Sequence, residues 1–400
     1  MNLLQEGIKK GLVKETNQIK KMRIDGREEN YKVYAIRLDL LFYNEQNDRI
    51  ASWVSEYKSE IENIKSDKEK YNSLIEGLIS NSNKKAMDKI KNNIKLLGQR
   101  EPGVVLSDGR IIDGNRRYTG LRYLSKDDER YNYFEAVILD SSLEKSEKII
   151  KRLELQLQHG IDSKVDYNPI DKLVGIYNDI VRKALFTVNE YARNTNQKES
   201  AVKKKIELAE LMVEFLNFIN AKDKFYIARE LELDGPLNEL KGMLSNMKTE
   251  EEREEWKNIV FSSWVMKPSN DMTKYTRDLK KISKSYFERE FVDDQMTIAD
   301  EVIRKIDEFE EITPKEIKEL RSDNKIKKVL RDSKEICEDR IKMKEARDTP
   351  LDYLSKSIKY LNEIDLNILL VLNNEEINDF KKNIKLLDEK VKEIKAEINV

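Results

Sequence analysis

The stretch from 98 to 124, GQREPGVVLSDGRIIDGNRRYTGLRYL, decides the fold of the N-terminal part of the chain. Two short apolar runs in it flank Ser-Asp-Gly at 107–109, a sequence typical of tight turns. This pattern predicts a β-hairpin. Gly114 follows the second run, and apolar residues then recur at helical spacing from Tyr118 onward. The stretch therefore predicts strand, turn, strand and the start of a helix.

The segments on either side extend this prediction to a mixed domain. Residues 31–43 and 134–139 are rich in β-branched and aromatic side chains, which indicates further strands. Residues 50–97 are charged and carry Ile, Leu and Trp at helical spacing. We therefore expect an α+β domain over residues 1–140, followed by a mainly α-helical remainder, so that the chain as a whole is mostly helical.

Three helices are predicted within a second domain, residues 141–220. Asn168-Pro169 has the composition of a helix start, with a capping residue before a proline at the first helical position. A short helix over 188–193, a polar turn over 194–197 and a longer helix over 200–211 follow. We expect Thr187 to cap the short helix and the asparagines of the turn to tolerate a left-handed backbone.

The remaining residues, 221–400, are predicted to be helical, with few landmarks. Near the end, apolar residues alternate at spacings of three and four, which is a heptad pattern of about three repeats. They are Ile377, Phe380, Ile384, Leu387, Val391, Ile394 and Ile398. The segment 375–400 is therefore either a dimerisation helix or a helix packed on its own domain, and the pattern leaves both open.

Composition excludes several classes of function. The 400 residues include 75 basic and 76 acidic side chains, so a nucleic-acid surface would have to be local. Apolar runs are too short for a membrane span, and the N-terminus lacks a signal-peptide pattern. Cys337 and His159 are the only cysteine and histidine, which argues against disulfides, zinc sites and histidine-based catalysis. We expect a cytoplasmic protein with no metal site beyond Mg²⁺ held by oxygen ligands.

The segment Asp113-Gly114-Asn115-Arg116-Arg117 carries the strongest chemical signal. A glycine at a helix start lets a ligand approach the backbone, and the helix dipole favours an anion there. The two arginines add fixed positive charge and forked donors that suit phosphate. From the residues alone, a triphosphate-binding loop and a solvated surface turn are about equally supported.

This order of residues resembles the N-terminal domain of the ParB/sulfiredoxin-like superfamily, in which a G-(E/N)-R-R box contacts the triphosphate of CTP. Asn115-Arg116-Arg117, the arginine box of this chain, matches that pattern. Gly98-Gln99 with Pro102 matches the segment before it. Asn44 and Arg49 match a weaker upstream segment. The longer separation between these segments implies a helical insertion at about residues 55–95. The resemblance implies that CTP or another nucleoside triphosphate, with Mg²⁺, is bound by Asn44, Arg49, Gly98, Gln99, Asp113, Gly114, Asn115, Arg116 and Arg117.

The third segment that the family uses falls on α-helical sequence at 155–159, LQLQH. Gln158 matches the family pattern and Gln156 stands where the family has Asn, so both are nucleotide-binding candidates. Leu155 replaces the usual Glu, while Glu154 lies one residue out of register. This departure limits the enzymatic prediction to a weak NTPase and leaves the catalytic residues unassigned.

The helices from Pro169 to Leu211 resemble the ParB helix-turn-helix. In such a motif the N-terminal part of the second helix faces base edges, while lysines neutralise phosphates. The DNA-binding candidates are Gln197, Ser200, Lys203, Lys204 and Lys205. Taken alone, the same pattern is also consistent with an ordinary three-helix packing unit.

The sequence thus favours a ParB-like, nucleotide-dependent DNA-binding protein that forms a homodimer and has no membrane partner. Two alternatives stay open. One is a non-catalytic, nucleotide-sensing or partner-binding scaffold of a mobile-element or defence system. The other is a ParB-like nuclease or NTPase, of which the nuclease is less supported because Asp108 and Asp113 are the only carboxylates close to the arginine box.

Overall fold

The computed structural model describes residues 2–24, 27–44, 47–139, 147–160 and 168–398. Side chains are described for these ranges except those of 23, 24, 27, 49, 158–160 and 370. The chain divides into two compact units, residues 1–334 and 335–400. The helical C-terminal region predicted over 221–400 begins within the first unit and includes the whole of the second.

Six strands form one mixed sheet at the N-terminal end. They are β1 (Val13–Ile24), β2 (Arg27–Arg37), β3 (Phe42–Tyr43), β4 (Gly103–Leu106), β5 (Arg110–Asp113) and β6 (Tyr133–Leu139). Their order is β1-β2-β6-β4-β5-β3. Strand β4 pairs with β6 and β3 with β5 in parallel, while the other neighbours are antiparallel. The predicted hairpin is confirmed as β4 and β5.

Strand β1 was not predicted, because its residues are mostly polar. It pairs along β2 over most of its length and forms one edge of the sheet. An edge strand needs few apolar side chains, and charged ones protect it from pairing with other chains. Residues 31–43, predicted as one or two strands, comprise the end of β2, a 3-10 turn at Leu38–Leu40 and β3.

Helices between β3 and β6 cover one face of the sheet. They are α1 (Ala51–Glu56), α2 (Lys58–Ile64), α3 (Lys68–Ser82), α4 (Lys84–Leu97) and α5 (Asn115–Ser125). Neighbouring strand residues point to opposite faces, so Val105 and Ile111 pack with this helical layer. The helices predicted over 50–97 are confirmed.

The other face of the sheet is covered by α6 (Glu147–Gly160). Ile150, Leu153 and Leu157 of this helix pack with Val104 and Ile112, the neighbours of the residues that face the opposite layer. The sheet therefore lies between two helical layers. Every described element that follows β6 is helical apart from turns.

Helices α7 (Pro169–Ile176), α8 (Val188–Asn194) and α9 (Glu199–Phe218) come next, with a π-helical turn at Tyr177–Arg182 after α7. The predicted start of α7 is confirmed, because the Asn168 side chain accepts a hydrogen bond from the Ile170 N–H at 2.9 Å. The remaining helices of the first unit are α10 (Phe225–Glu230), α11 (Asp234–Leu244), α12 (Glu250–Met266), α13 (Met272–Ile282), α14 (Glu288–Asp307) and α15 (Pro314–Leu320).

Helix α16 (Asn324–Asn362) begins in the first unit, and α17 (Asn374–Glu397) belongs to the second. Helix α17 has no buried residue, and its heptad positions are partly exposed: 45% for Ile384, 36% for Leu387 and 48% for Ile394. The two alternatives for this helix, dimerisation and packing on its own domain, therefore stay predictions. None of the described helices has the length and apolarity to cross a membrane.

Candidate functional site

The carboxyl ends of β3 and β5 meet at one edge of the sheet. Tyr43 of β3 pairs with Ile111 of β5 in parallel, so Asn44, which follows β3, lies at the same edge as Asp113, which ends β5. In open sheets, ligands bind outside the carboxyl ends of strands. The parallel pairing thus brings together segments that lie about 70 residues apart in the sequence.

Gly114 connects β5 to α5, and the fold requires a glycine there. Its φ is +100°, and an added Cβ would lie 2.8 Å from Cζ of Phe134. No side chain caps the helix that follows. The N–H groups of its first turn are therefore available to an anion, and the helix dipole adds partial positive charge.

The three residues of the arginine box differ in their surroundings. Arg117 pairs with Asp113 at 2.8 Å and Arg116 is half-buried. Asn115 is buried, and its side-chain oxygen has no hydrogen-bond partner in the part of the chain that the structure describes. A buried polar atom without a partner destabilises the fold, so it indicates a place where a ligand group or water fits.

Lys20 of the unpredicted strand β1 adds a further cation to this edge. Its Nζ lies 3.9 Å from Oδ2 of Asp113 and donates to the carbonyl of Pro102 at 2.6 Å. Burial lowers the pKa of Lys20, although Asp113 acts in the opposite direction. The local positive charge therefore includes Lys20 as well as the two arginines.

The side-chain amide of Gln99 is hydrogen-bonded to the main chain of Glu135. It donates to the Glu135 carbonyl at 2.6 Å and accepts from the Glu135 N–H at 2.9 Å, which ties the segment before β4 to β6. Gly98, with a φ of +69°, ends α4. The structure thus gives both residues a role in the fold, close to the predicted site.

The candidates on α6 lie in different environments. The side chain of Gln156 donates to that of Asn194, at the end of α8, at 3.2 Å. Leu155 is fully buried with Ile176 and Val202 in the core of the helices that follow. The side chains of Gln158 and Arg49 lie outside the described residues.

A buried charge cluster beside α6 was missed in the sequence. Nζ of Lys151 lies 2.5 Å from Asp48, 3.5 Å from Glu154 and 3.8 Å from Asp179, and all four residues are buried. The sequence does carry a signal for this cluster, because Lys151 and Glu154 interrupt the apolar positions of α6 at a spacing of three. The cluster joins the 3-10 turn Asp48–Ile50, which follows the candidate site, to α6 and the turn after α7.

The cluster combines one ammonium group with three carboxylates, and its pKa values reflect that imbalance. Burial, reinforced by repulsion from Asp48 and Glu154, raises the pKa of Asp179 to about 8 despite the opposing effect of Lys151. Burial alone would lower the pKa of Lys151, but the three carboxylates outweigh it and raise that pKa well above its ordinary value. Near neutral pH, the Asp179 carboxyl group therefore holds a proton.

Helices α8 and α9, joined by the turn at 195–198, occupy the segment where the sequence predicts a helix-turn-helix. Thr187 and Glu190 form a reciprocal capping box at the start of α8, with hydrogen bonds of 2.9 and 3.2 Å. Asn196 in the turn has a left-handed φ of +52°. Ala192 and Val202 are buried between the helices. The predictions of the Thr187 cap and of an asparagine in the turn are confirmed.

The DNA-binding candidates lie on or near the N-terminal half of α9. Ser200, Lys203 and Lys204 are exposed. Lys205 is partly buried and donates to the side chain of Gln197, and burial lowers its pKa. Three of the five candidates thus form an exposed surface, while the other two contact each other.

The protonated state of Asp179 predicts a pH effect on stability. Between the ordinary Asp pKa of about 3.9 and a folded value of about 8, the folded chain holds a proton that the unfolded chain has released. This group's contribution to stability therefore falls as pH rises through that window. Relative to the parent, Asp179→Asn should become progressively more stable from about pH 4 to about pH 8 in urea unfolding. A stability difference that is constant with pH would contradict the assignment.

No protein-family model matches this chain, and no curated protein matches its sequence.

Proposed function

We propose that this chain is a nucleotide-dependent DNA-binding protein. The observation that carries the proposal is the uncapped start of α5, where Arg116 and Arg117 follow Gly114 at the carboxyl edge of β3 and β5. The ligand is a nucleoside triphosphate with Mg²⁺, and the resemblance to ParB-like domains favours CTP. Free helical N–H groups and arginine forks are the donors that phosphates prefer.

The carboxylates near the arginine box favour a binding site over a catalytic site. Asp113 is paired with Arg117, and Asp108 accepts a hydrogen bond from the Arg110 N–H at 2.8 Å, which holds the hairpin turn. Both carboxylates therefore already maintain the local structure. We therefore expect NTP hydrolysis to be slow.

The arginine box gives the first test. Calorimetric titration with CTP, ATP and GTP in the presence of Mg²⁺ should show saturable binding, and Arg116→Ala should weaken it about 10- to 100-fold, because a hydrogen bond to a charged group contributes about 1.5–3 kcal/mol. Arg100→Ala, an exposed arginine before β4, is the matched control and should bind like the parent. Equal affinity of the parent and Arg116→Ala would remove the proposed site.

DNA is the proposed partner of α9. Ser200 and Lys203 lie on the exposed face of its N-terminal half, the part of a helix-turn-helix that enters the major groove. Lysines that contact phosphate release counterions, so affinity should fall steeply with salt.

Replacing two of these lysines tests that partner. Each phosphate contact contributes about 0.9 to the slope of log K against log salt, so Lys203→Gln with Lys204→Gln should reduce the slope by about two. Lys84→Gln with Lys85→Gln, two exposed lysines at the start of α4, should leave it unchanged. Fluorescence anisotropy with duplex DNA at several salt concentrations measures both. An unchanged slope in the α9 variant would exclude α9 as the DNA-binding helix.

A second copy of the chain is the proposed partner of α17. Its seam of half-exposed apolar residues repeats every seven residues, and most of its flanking positions are charged. A parallel pair would place Glu376 of one copy opposite Lys381 of the other, the g-to-e arrangement of coiled coils.

Sedimentation velocity tests this pairing. Leu387→Asp with Ile394→Asp places charge on the seam and should convert dimer to monomer, because unpaired charge is poorly tolerated there. Leu386→Asp is the matched control, since Leu386 is 53% exposed and lies off the seam. A parent chain that is monomeric at all concentrations, or a seam variant that stays dimeric, would contradict the proposal.

A further inference from the structure

A pocket of about 420 Å³ lies beside β3, the edge strand at one end of the sheet. Its lining combines cationic and aromatic side chains with one amide and has no acidic member among the described residues. The lining residues are Phe42, Tyr43, Asn44, Lys65, Lys68, Tyr71 and Arg110. In a chain with almost equal numbers of acidic and basic residues, such a one-sided lining is a specific local feature.

Two of the cations lie against the same aromatic ring. Nζ of Lys68 is 5.3 Å from the centre of the Phe42 ring, and Cζ of Arg110 is 5.8 Å from it. Lys68 donates to the carbonyl of Leu40, and Arg110 pairs with Asp108 at 3.3 Å. Burial lowers the pKa of Lys68, and the carboxylates that oppose this effect are Asp39 and Asp108, which do not line the pocket. A bound anion would offset the repulsion between the gathered cations.

The walls of the pocket are fixed by main-chain contacts. The Phe42 N–H donates to the carbonyl of Gly109 at 3.0 Å, and the Tyr71 hydroxyl donates to the carbonyl of Tyr43 at 3.0 Å. Gly109 has a φ of +97°, and an added Cβ would lie 2.3 Å from the carbonyl oxygen of Leu40. A pocket whose walls are already positioned loses little entropy when it binds a ligand.

The pocket is distinct from the start of α5. None of the residues 113–117 lines it, whereas Asn44, predicted from the sequence to contact a nucleotide, does. Its cations are Lys65, Lys68 and Arg110 instead of the arginine box. The pocket therefore provides a second anion-binding environment on the same domain, which shares Asn44 with the predicted nucleotide site but none of its arginines.

We propose that this pocket binds a small phosphorylated molecule with a flat, ring-bearing body. Arg110 and Lys68 hold the phosphate, since a guanidinium fork and an ammonium group are its usual partners. The rings of Phe42 and Tyr71 contact the body of the ligand. The volume lies within the range of about 300–1,000 Å³ that small-molecule sites occupy.

The test uses the full chain and three probes: phenyl phosphate, inorganic phosphate and benzoate. Binding is followed by calorimetry. Phenyl phosphate should bind more tightly than inorganic phosphate, which lacks the ring, and more tightly than benzoate, which lacks the phosphate. Arg110→Gln and Lys68→Met should each weaken phenyl phosphate binding about tenfold or more. Lys68→Met keeps the apolar stem over Phe42, so it reports charge even if Arg110→Gln disturbs the hairpin turn.

Two control variants separate this proposal from the nucleotide site. Lys70→Met makes the same change two residues along α3, at an exposed lysine outside the pocket, and should bind like the parent. In the Arg116→Ala background, Arg110→Gln and Lys68→Met should still weaken phenyl phosphate binding about tenfold or more. Absence of saturable binding up to about 10 mM, binding that survives both pocket variants, or binding lost only in Arg116→Ala would overturn the proposal. The last outcome would place the phosphate at α5.

Discussion

The packing of α6 between the sheet and helices α7 to α9 is the contact on which the rest of the structure depends. Ile150, Leu153 and Leu157 face the sheet, while Leu155 faces the core of α7 to α9. The side chain of Lys148 also pairs with Glu190 of the α8 capping box at 3.0 Å. One helix therefore links the layer that carries the proposed nucleotide site to the helices that carry the proposed DNA surface. A shift of α6 would displace residues of both the sheet and helices α7 to α9, because packed interiors respond to displacement in discrete steps.

The buried cluster around Lys151 strengthens this link. Asp48 follows the segment that begins at Asn44, so its 2.5 Å contact with Lys151 ties the candidate site directly to α6. Gly175 of α7 lies against the same carboxylate, since an added Cβ there would be 2.8 Å from Cγ of Asp48. Removing one partner of a buried pair typically destabilises a protein by about 3–5 kcal/mol, because the other charge stays buried. The cluster therefore holds the 3-10 turn at Asp48–Ile50, α6 and the turn after α7 in one arrangement.

Local sequence predicted what depends on local rules. The hairpin at 103–113, the start of α5, the Asn168 and Thr187 caps and the left-handed asparagine of the turn all follow from turn and capping chemistry within a few residues. The polar strand β1 was missed because its pairing with β2, more than its own composition, makes it a strand.

The charge cluster and the pocket beside β3 could not be predicted for a different reason. Each unites residues far apart in the sequence, such as Asp48 with Lys151 and Phe42 with Arg110. Their proximity follows from the sheet order and the helical layers, which no local pattern of residues encodes. Sequence separation also explains why the contact of Gln99 with Glu135 of β6 was not predicted, although Gln99 matches a ligand-binding motif.

The most direct test of the account is whether nucleotide and DNA binding are coupled. DNA affinity of the full chain would be measured by fluorescence anisotropy at one salt concentration, with and without saturating CTP and Mg²⁺, and the nucleotide affinity with and without DNA. The account predicts that each ligand changes the affinity for the other by the same factor, about 5-fold or more, because coupling between binding sites is reciprocal. If both ligands bind and neither affects the other, α6 does not connect the two sites and the central claim is contradicted.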